Sequence, residues 1–181
     1  MRSEEFVALL THLAARDRES AIAAGVDEDE ADEIAQGYIP KIRPAAAKAS
    51  DPDDELLRLL ALYDCSHVEL PGAIRFHKCP RVMAQGTAVA AQEADPIVRG
   101  ADGELRLHDH SNMDFVISRC ASSGTAFMEA IACFATAMTD PTRGEEVYER
   151  VTTATVALAG GDEYRDFWSP LCAYLRGDED A

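Results

Sequence analysis

The residues best suited to chemistry stand close together at His108, Asp109, His110 and Asp114. Imidazole and carboxylate groups bind zinc and related ions, and two histidines at i and i+2 of a strand project to the same face. A metal site there would need a third protein ligand from elsewhere, with Cys65, His67, His77 and Cys79 as the candidates. None has a spacing characteristic of a metal motif, and there is no H-E-x-x-H. A polar loop leaving a strand end explains the cluster more simply, so no metal and no cofactor is expected. A metal-dependent enzyme using His108 and His110 stays as the lesser alternative.

Other chemistry finds less support. There is no G-x-S-x-G elbow, no cysteine in the local context of a known nucleophile, and neither a G-x-G-x-x-G nor a Walker loop. With 33 Asp and Glu in the chain, any one pair of carboxylates is uninformative. No catalytic residue is assigned.

Charge decides more. Seventeen Lys and Arg against those acids give a formal net charge of −16, and only three of the basic residues are Lys (Lys41, Lys48 and Lys78). Phosphate binding depends on clustered cations, so direct contact with nucleic acid or an anionic membrane surface is not expected. A basic protein partner fits, as does a surface acidic for solubility alone. Five cysteines, an odd number without a close pair, argue against a disulfide framework or zinc ribbon and for a reducing compartment. The first turns carry several charges, unlike a signal peptide, and the run 126–138 contains Glu129 and is too short to span a bilayer. The expected location is cytoplasmic.

The elements that must position these residues follow from periodicity. Phe6, Leu9, Leu10, Leu13 and Ala14 mark one face of a first helix, with Ser3 as a candidate cap and Gly25 after its end. Asp27 with Glu30 caps a second. Asp51-Pro52 reads as the start of a third, Asp53–Tyr63, apolar on more than one face. The period then changes to strands at Ala73–Phe76, after a turn at Pro71-Gly72, and at Thr87–Ala91. Pro96–Gly100 and Glu104–His108 flank the hairpin turn Ala101-Asp102-Gly103, and Phe115-Val116-Ile117 is a third apolar run taken as core. Leu105 and Leu107 point one way and Glu104, Arg106 and His108 the other, which predicts one wet sheet face. A helix capped by Ser122 or Ser123 carries Phe127, Ala130, Ile131, Phe134, Ala135 and Met138 as an apolar stripe. Helices over Arg143–Leu158 and from Asp162 to Gly177 follow, the last with Trp168 in the core. The fold class is therefore α+β: an antiparallel sheet of about four to five strands, helices packed on one face, and helices at both termini. Residues 1–50 form a helical extension, 51–140 the α+β core and 141–181 C-terminal helices packed on it, together one compact domain.

Three stretches carry a family resemblance. Asp51 to Asp64 is similar to the helix that runs into a Tyr-Asn/Asp-Gly turn in the SUKH superfamily, whose members include bacterial immunity proteins. Ala94–Val98 with Asp102–Leu107 resembles its hairpin, and Ala121-Ser122-Ser123 followed by Phe127-Met128 resembles the entry into its Ser-Phe-x-x-Phe-Leu helix. The resemblance implies a non-enzymatic module that neutralises a cognate toxin, such as a nuclease or deaminase, by direct binding; a regulatory or scaffold protein of the same fold is the alternative. It supplies no fixed binding motif. Position on the wet face and its loops selects Glu93, Asp95, Asp102, Glu104, His108, Asp109, His110 and Asp114 as the expected partner-binding residues.

Overall fold

The middle of the chain alternates between apolar and polar residues, and it folds as a meander of five antiparallel strands. The computed structural model describes residues 1–43, 53–68, 70 and 74–177. Strands β3 (Ile74–Met83), β4 (Gly86–Gln92), β5 (Asp95–Arg99), β6 (Leu105–Asp109) and β7 (Asn112–Ala121) lie in chain order, so β3 and β7 are the edges. Two short strands, β1 (Lys41–Ile42) and β2 (Tyr63–Asp64), pair separately. Around the sheet stand α1 (Ser3–Ala23), α2 (Glu28–Gln36), α3 (Glu55–Leu62), α4 (Gly124–Met138), α5 (Glu145–Ala159) and α6 (Arg165–Cys172). The α+β class, its antiparallel sheet and both sets of terminal helices are as the sequence implies.

Helix starts follow capping chemistry, with two differences from expectation. Ser123 accepts a hydrogen bond from the Ala126 amide and Asp27 one from Glu30, as predicted. Asp51 and Pro52 lie outside the described residues, as do Pro71 and Gly72, and the side chain that caps α3 is Asp54, which accepts from the Leu57 amide. Ser3 is not a cap but a buried tie: its hydroxyl lies 2.8 Å from the Glu55 carbonyl and 2.7 Å from the Glu55 carboxylate, joining α1 to α3.

The core lies between the helices and the sheet face that presents Phe76, Ile97, Leu105 and Leu107. Phe6 of α1 meets Phe76 edge-on at 6.2 Å, so the N-terminal helix contributes directly to this core. Trp168 is fully buried among Phe127, Phe134 and Phe167, and its indole N–H donates to the Cys120 carbonyl at 2.8 Å. That bond fastens the inner half of β7 to α6. Gly160 has φ +127°, and a Cβ there would stand 2.6 Å from the Ser122 hydroxyl, so only glycine lets α5 end against the start of α4.

The second sheet face departs from the flat, wet surface expected. Arg99 reaches Asp54 at 2.5 Å on the helix side, so its neighbour Val98 faces the other way, paired with Ala88 and Arg106. Val98, Ala88 and His108 are nevertheless all buried. The cause is curling. Gln85, in the turn between β3 and β4, donates to the Asp114 carboxylate on β7 at 3.0 Å. A flat sheet would hold β4 and β7 about 14 Å apart, so the strands must wrap toward each other over this face.

Candidate interaction surface

The eight residues chosen from sequence divide into three groups. Glu104 is only 7% exposed and is an internal strut. Its carboxylate is bonded by Arg106 and Arg119 and accepts the Tyr164 hydroxyl at 3.1 Å, while Arg119 lies over the Tyr164 ring at 5.2 Å. Burial, with Glu104 adding to it, pushes the Tyr164 phenol up to about 12. His108, 5% exposed, turns Nδ1 to the Met113 carbonyl at 2.8 Å. The expectation that Glu104 and His108 lie on a wet face is corrected by the curl of the sheet, which closes over one and leaves the other packed against Tyr164.

A second group meets at the bottom of the sheet. His110 lies in the turn after β6 rather than in the strand, so it does not share a face with His108 as an i, i+2 pair would. Instead its Nδ1 and backbone N–H both reach Oδ1 of Asp95, at 2.6 and 2.9 Å. These bonds hold the Asp95 carboxyl below its usual range and raise the His110 imidazole above its own. Asp109 is lowered by the Ser111 hydroxyl and amide, which it accepts at 2.6 and 2.7 Å. Asp95, Asp109 and His110 form the one trio of metal-type ligands among the described residues, and Cys65, His67, His77 and Cys79 do not join it. Cys65 is fully buried, its thiol pushed up to about 12 by desolvation, and His67 is turned to the Ile39 carbonyl at 2.9 Å. The trio is a pin between two turns, closed by its own hydrogen bonds.

The third group is at the rim. Glu93 is exposed at φ +52° in the turn between β4 and β5, Asp114 holds Gln85, and Asp102 pairs with Arg106 at 2.5 Å at the opposite end of the sheet.

What the sequence reading placed in the core, the structure places on the surface. Phe115 is 56% exposed, Val116 37% and Ile117 45%, and Val82 of β3 is 89% exposed. Two features of the fold gather them. The pairing of β7 with β6 leaves extra residues at Cys120, at Ile117 and over 113–115, and such bulges re-aim side chains out of the alternating pattern. The Gln85–Asp114 bond then brings the tip of the β3–β4 hairpin, with Val82 near it, against the start of the apolar run. Exposed apolar side chains thus stand on both edges of one sheet, Phe115, Val116 and Ile117 on β7 and Val82 on β3, and make up the candidate apolar seam. A clue was present: three consecutive apolar residues cannot all face one side of a strand of period two.

Charge is distributed unevenly around this seam. Residues 74–121, which make the sheet, contain six Lys and Arg and six Asp and Glu. Residues 1–73 contain seven against sixteen, and 122–181 four against eleven, so the whole net charge lies outside the sheet. Within the sheet Arg99, Arg106 and Arg119 are bound to carboxylates at one end of β5 and β6, whereas Glu93, Asp95, Asp109 and Asp114 lie toward the other end, Asp109 opposite the start of β7 and Asp114 next to Phe115. Among the described residues no helix is long and apolar enough to cross a membrane. Comparison with family models, with characterised proteins and with solved structures finds no match to this chain.

Proposed function

We propose that this chain is a non-enzymatic protein-binding module that docks a basic partner on the seam of Val82, Phe115, Val116 and Ile117. The observation that supports this reading most is the exposed apolar run on a bulged edge strand, with Asp109 and Asp114 at its start. An apolar centre with a polar rim is the anatomy of a binding patch, and a large aromatic such as Phe115 is the residue type that anchors one. The partner reads side chains rather than adding a strand, because bulges twist β7 away from regular pairing. A net charge of −16 draws a cationic partner at long range, and the acidic rim orients it at contact.

In the narrower form of the proposal, which rests on the SUKH resemblance, the partner is a toxin domain built to hold nucleic acid, kept inactive by this chain in the same cell. The test takes the purified full chain and the product of any toxin gene found adjacent to its own. Binding is expected at low salt, weakening as salt rises, and falling at least about tenfold in Phe115→Ser/Ile117→Thr, as loss of a central anchor implies. No complex with that product at low salt, or a complex indifferent to the double substitution, would count against the proposal.

A further inference from the structure

A second feature lies on the far side of the molecule from the seam and has no part in the reading above. Between α1 and the C-terminal end of α4 runs a groove of about 360 Å³, walled by Leu10, Leu13, Leu70, Ala135 and Met138, with Asp17 at one end. Leu10, Leu13 and Asp17 follow one another at helical spacing on α1, so the carboxylate stands about 10 Å along the groove from Leu10.

Asp17 is unlike the other acids whose environment displaces them. Hydrogen-bond donors hold Glu55, Asp64, Asp95, Asp102, Asp109 and Asp140 below the carboxylate range. Burial holds Asp17 above it, offset in part by the charge of Arg16. Asp17 is half-buried, and among the described residues no side chain or amide donates to it, although it lines a groove that is largely hydrocarbon, with Tyr38 and Thr139 its other polar residues. Partial desolvation disfavours the carboxylate, and a cation entering the groove offsets that cost. The Thr139 hydroxyl, also on the groove wall, donates to the Thr136 carbonyl at 2.9 Å, which leaves its oxygen lone pairs available to a second donor. The site thus supplies one anionic acceptor in Asp17, a neutral acceptor in Thr139, the Tyr38 ring and a hydrocarbon wall.

We propose that this groove binds a small primary aliphatic amine, with the ammonium on Asp17 and the hydrocarbon chain along Leu13 and Leu10. Neither half of the site suffices: the carboxylate alone selects no chain, and the apolar wall alone gives no reason for an acid at its end.

The test titrates the full chain with hexylammonium chloride at fixed ionic strength and neutral pH, read by amide NMR shifts and calorimetry. Saturable one-site binding is expected, with shifts centred on α1 and the end of α4. Hexanol, which lacks the charge, and methylammonium, which lacks the chain, should each bind at least about tenfold more weakly, the difference one charge-assisted hydrogen bond or several buried methylenes makes. Asp17→Asn should weaken hexylammonium by a similar factor and leave hexanol unchanged, while Asp17→Glu retains the preference for the amine. Affinity should fall on acidification as the Asp17 carboxyl takes up its proton. Unsaturable shifts spread over the acidic surface, equal binding of hexanol and hexylammonium, or an Asp17→Asn protein that binds the amine as before would each overturn the proposal.

Discussion

Strand β3 presents Lys78, Pro80 and Arg81 in the outer half of one sheet edge, whereas β7 presents Met113, Phe115, Val116 and Ile117 in the outer half of the other. Both edges carry register irregularities, and both have an inner half buried against helices, through Ile74 and Phe76 on one and Cys120 and Ala121 on the other. The difference is in what covers the free backbone. At β3 a proline removes a donor and two cations flank it, the usual defence of an edge strand. At β7 only the bulges oppose strand pairing, and the side chains beyond them are apolar. Both edges thus resist strand pairing, β3 by a proline and cations and β7 by bulges, but most of the apolar side chains open to contact stand on β7, with Val82 their one counterpart named on β3.

The contrast can be broken most severely from behind. Trp168→Ala removes the indole that packs three phenylalanines and holds the Cys120 carbonyl, and should cost about 3–5 kcal/mol in chemical denaturation. The outer half of β7 would lose its anchor with it. Removing the guard from the other edge tests whether the protection is real. Lys78→Val/Pro80→Val should leave the denaturation midpoint nearly unchanged but produce concentration-dependent self-association by sedimentation beyond that of the parent chain. Equal association of parent and variant would show that Lys78 and Pro80 do not guard that edge. At β7 the expected effect on stability is smaller still: Phe115→Ser should change it by at most about 1 kcal/mol, because a half-exposed side chain has little burial to lose. A loss comparable to that of Trp168→Ala would mean that the seam is core.

The smallest effect sits at the turn that starts β7. The His110 imidazole is raised by Asp95, so this contribution is complete below the unfolded histidine value and is lost as pH rises through the raised one. Asp95 is lowered, so its share is present above the unfolded aspartate value and is lost as pH falls through the depressed one. The pin therefore holds best between roughly pH 4 and 6.5. Amide exchange at Ser111 and Asn112 should be slowest in that window, and His110→Ala should flatten the profile with little change in global stability.

Much of the fold could be read from local chemistry. Ser123, Asp27 and the stripe on α4 declared themselves because caps and 3.6-residue periodicity depend on near neighbours in the chain. The β5–β6 hairpin did so through Asp102-Gly103. The site was less legible, because its meaning depends on residues far apart in sequence. Glu104 looks solvent-facing until Arg119 and Tyr164 are placed beside it, and His108 looks like a ligand until the sheet curls over it. Phe115 to Ile117 look like core because hydrophobicity alone does not show a bulge. The cap of α3 moved to Asp54 for a similar reason: its carboxylate also meets Arg99 of β5, a contact no local pattern contains.

The Gln85–Asp114 hydrogen bond has a consequence in time as well as in space. Val82 and Gln85 leave the ribosome well before Asp114 and Phe115, and α6, which fastens the inner half of β7, comes later still. Until synthesis passes Trp168, β7 lacks the indole hydrogen bond that fastens its inner half to α6. A nascent chain, or one cut before Trp168, should therefore be a weak ligand for the partner proposed for the seam, and full recognition should begin only once synthesis has passed α6. Short peptides copied from either hairpin should fail to compete for the same reason.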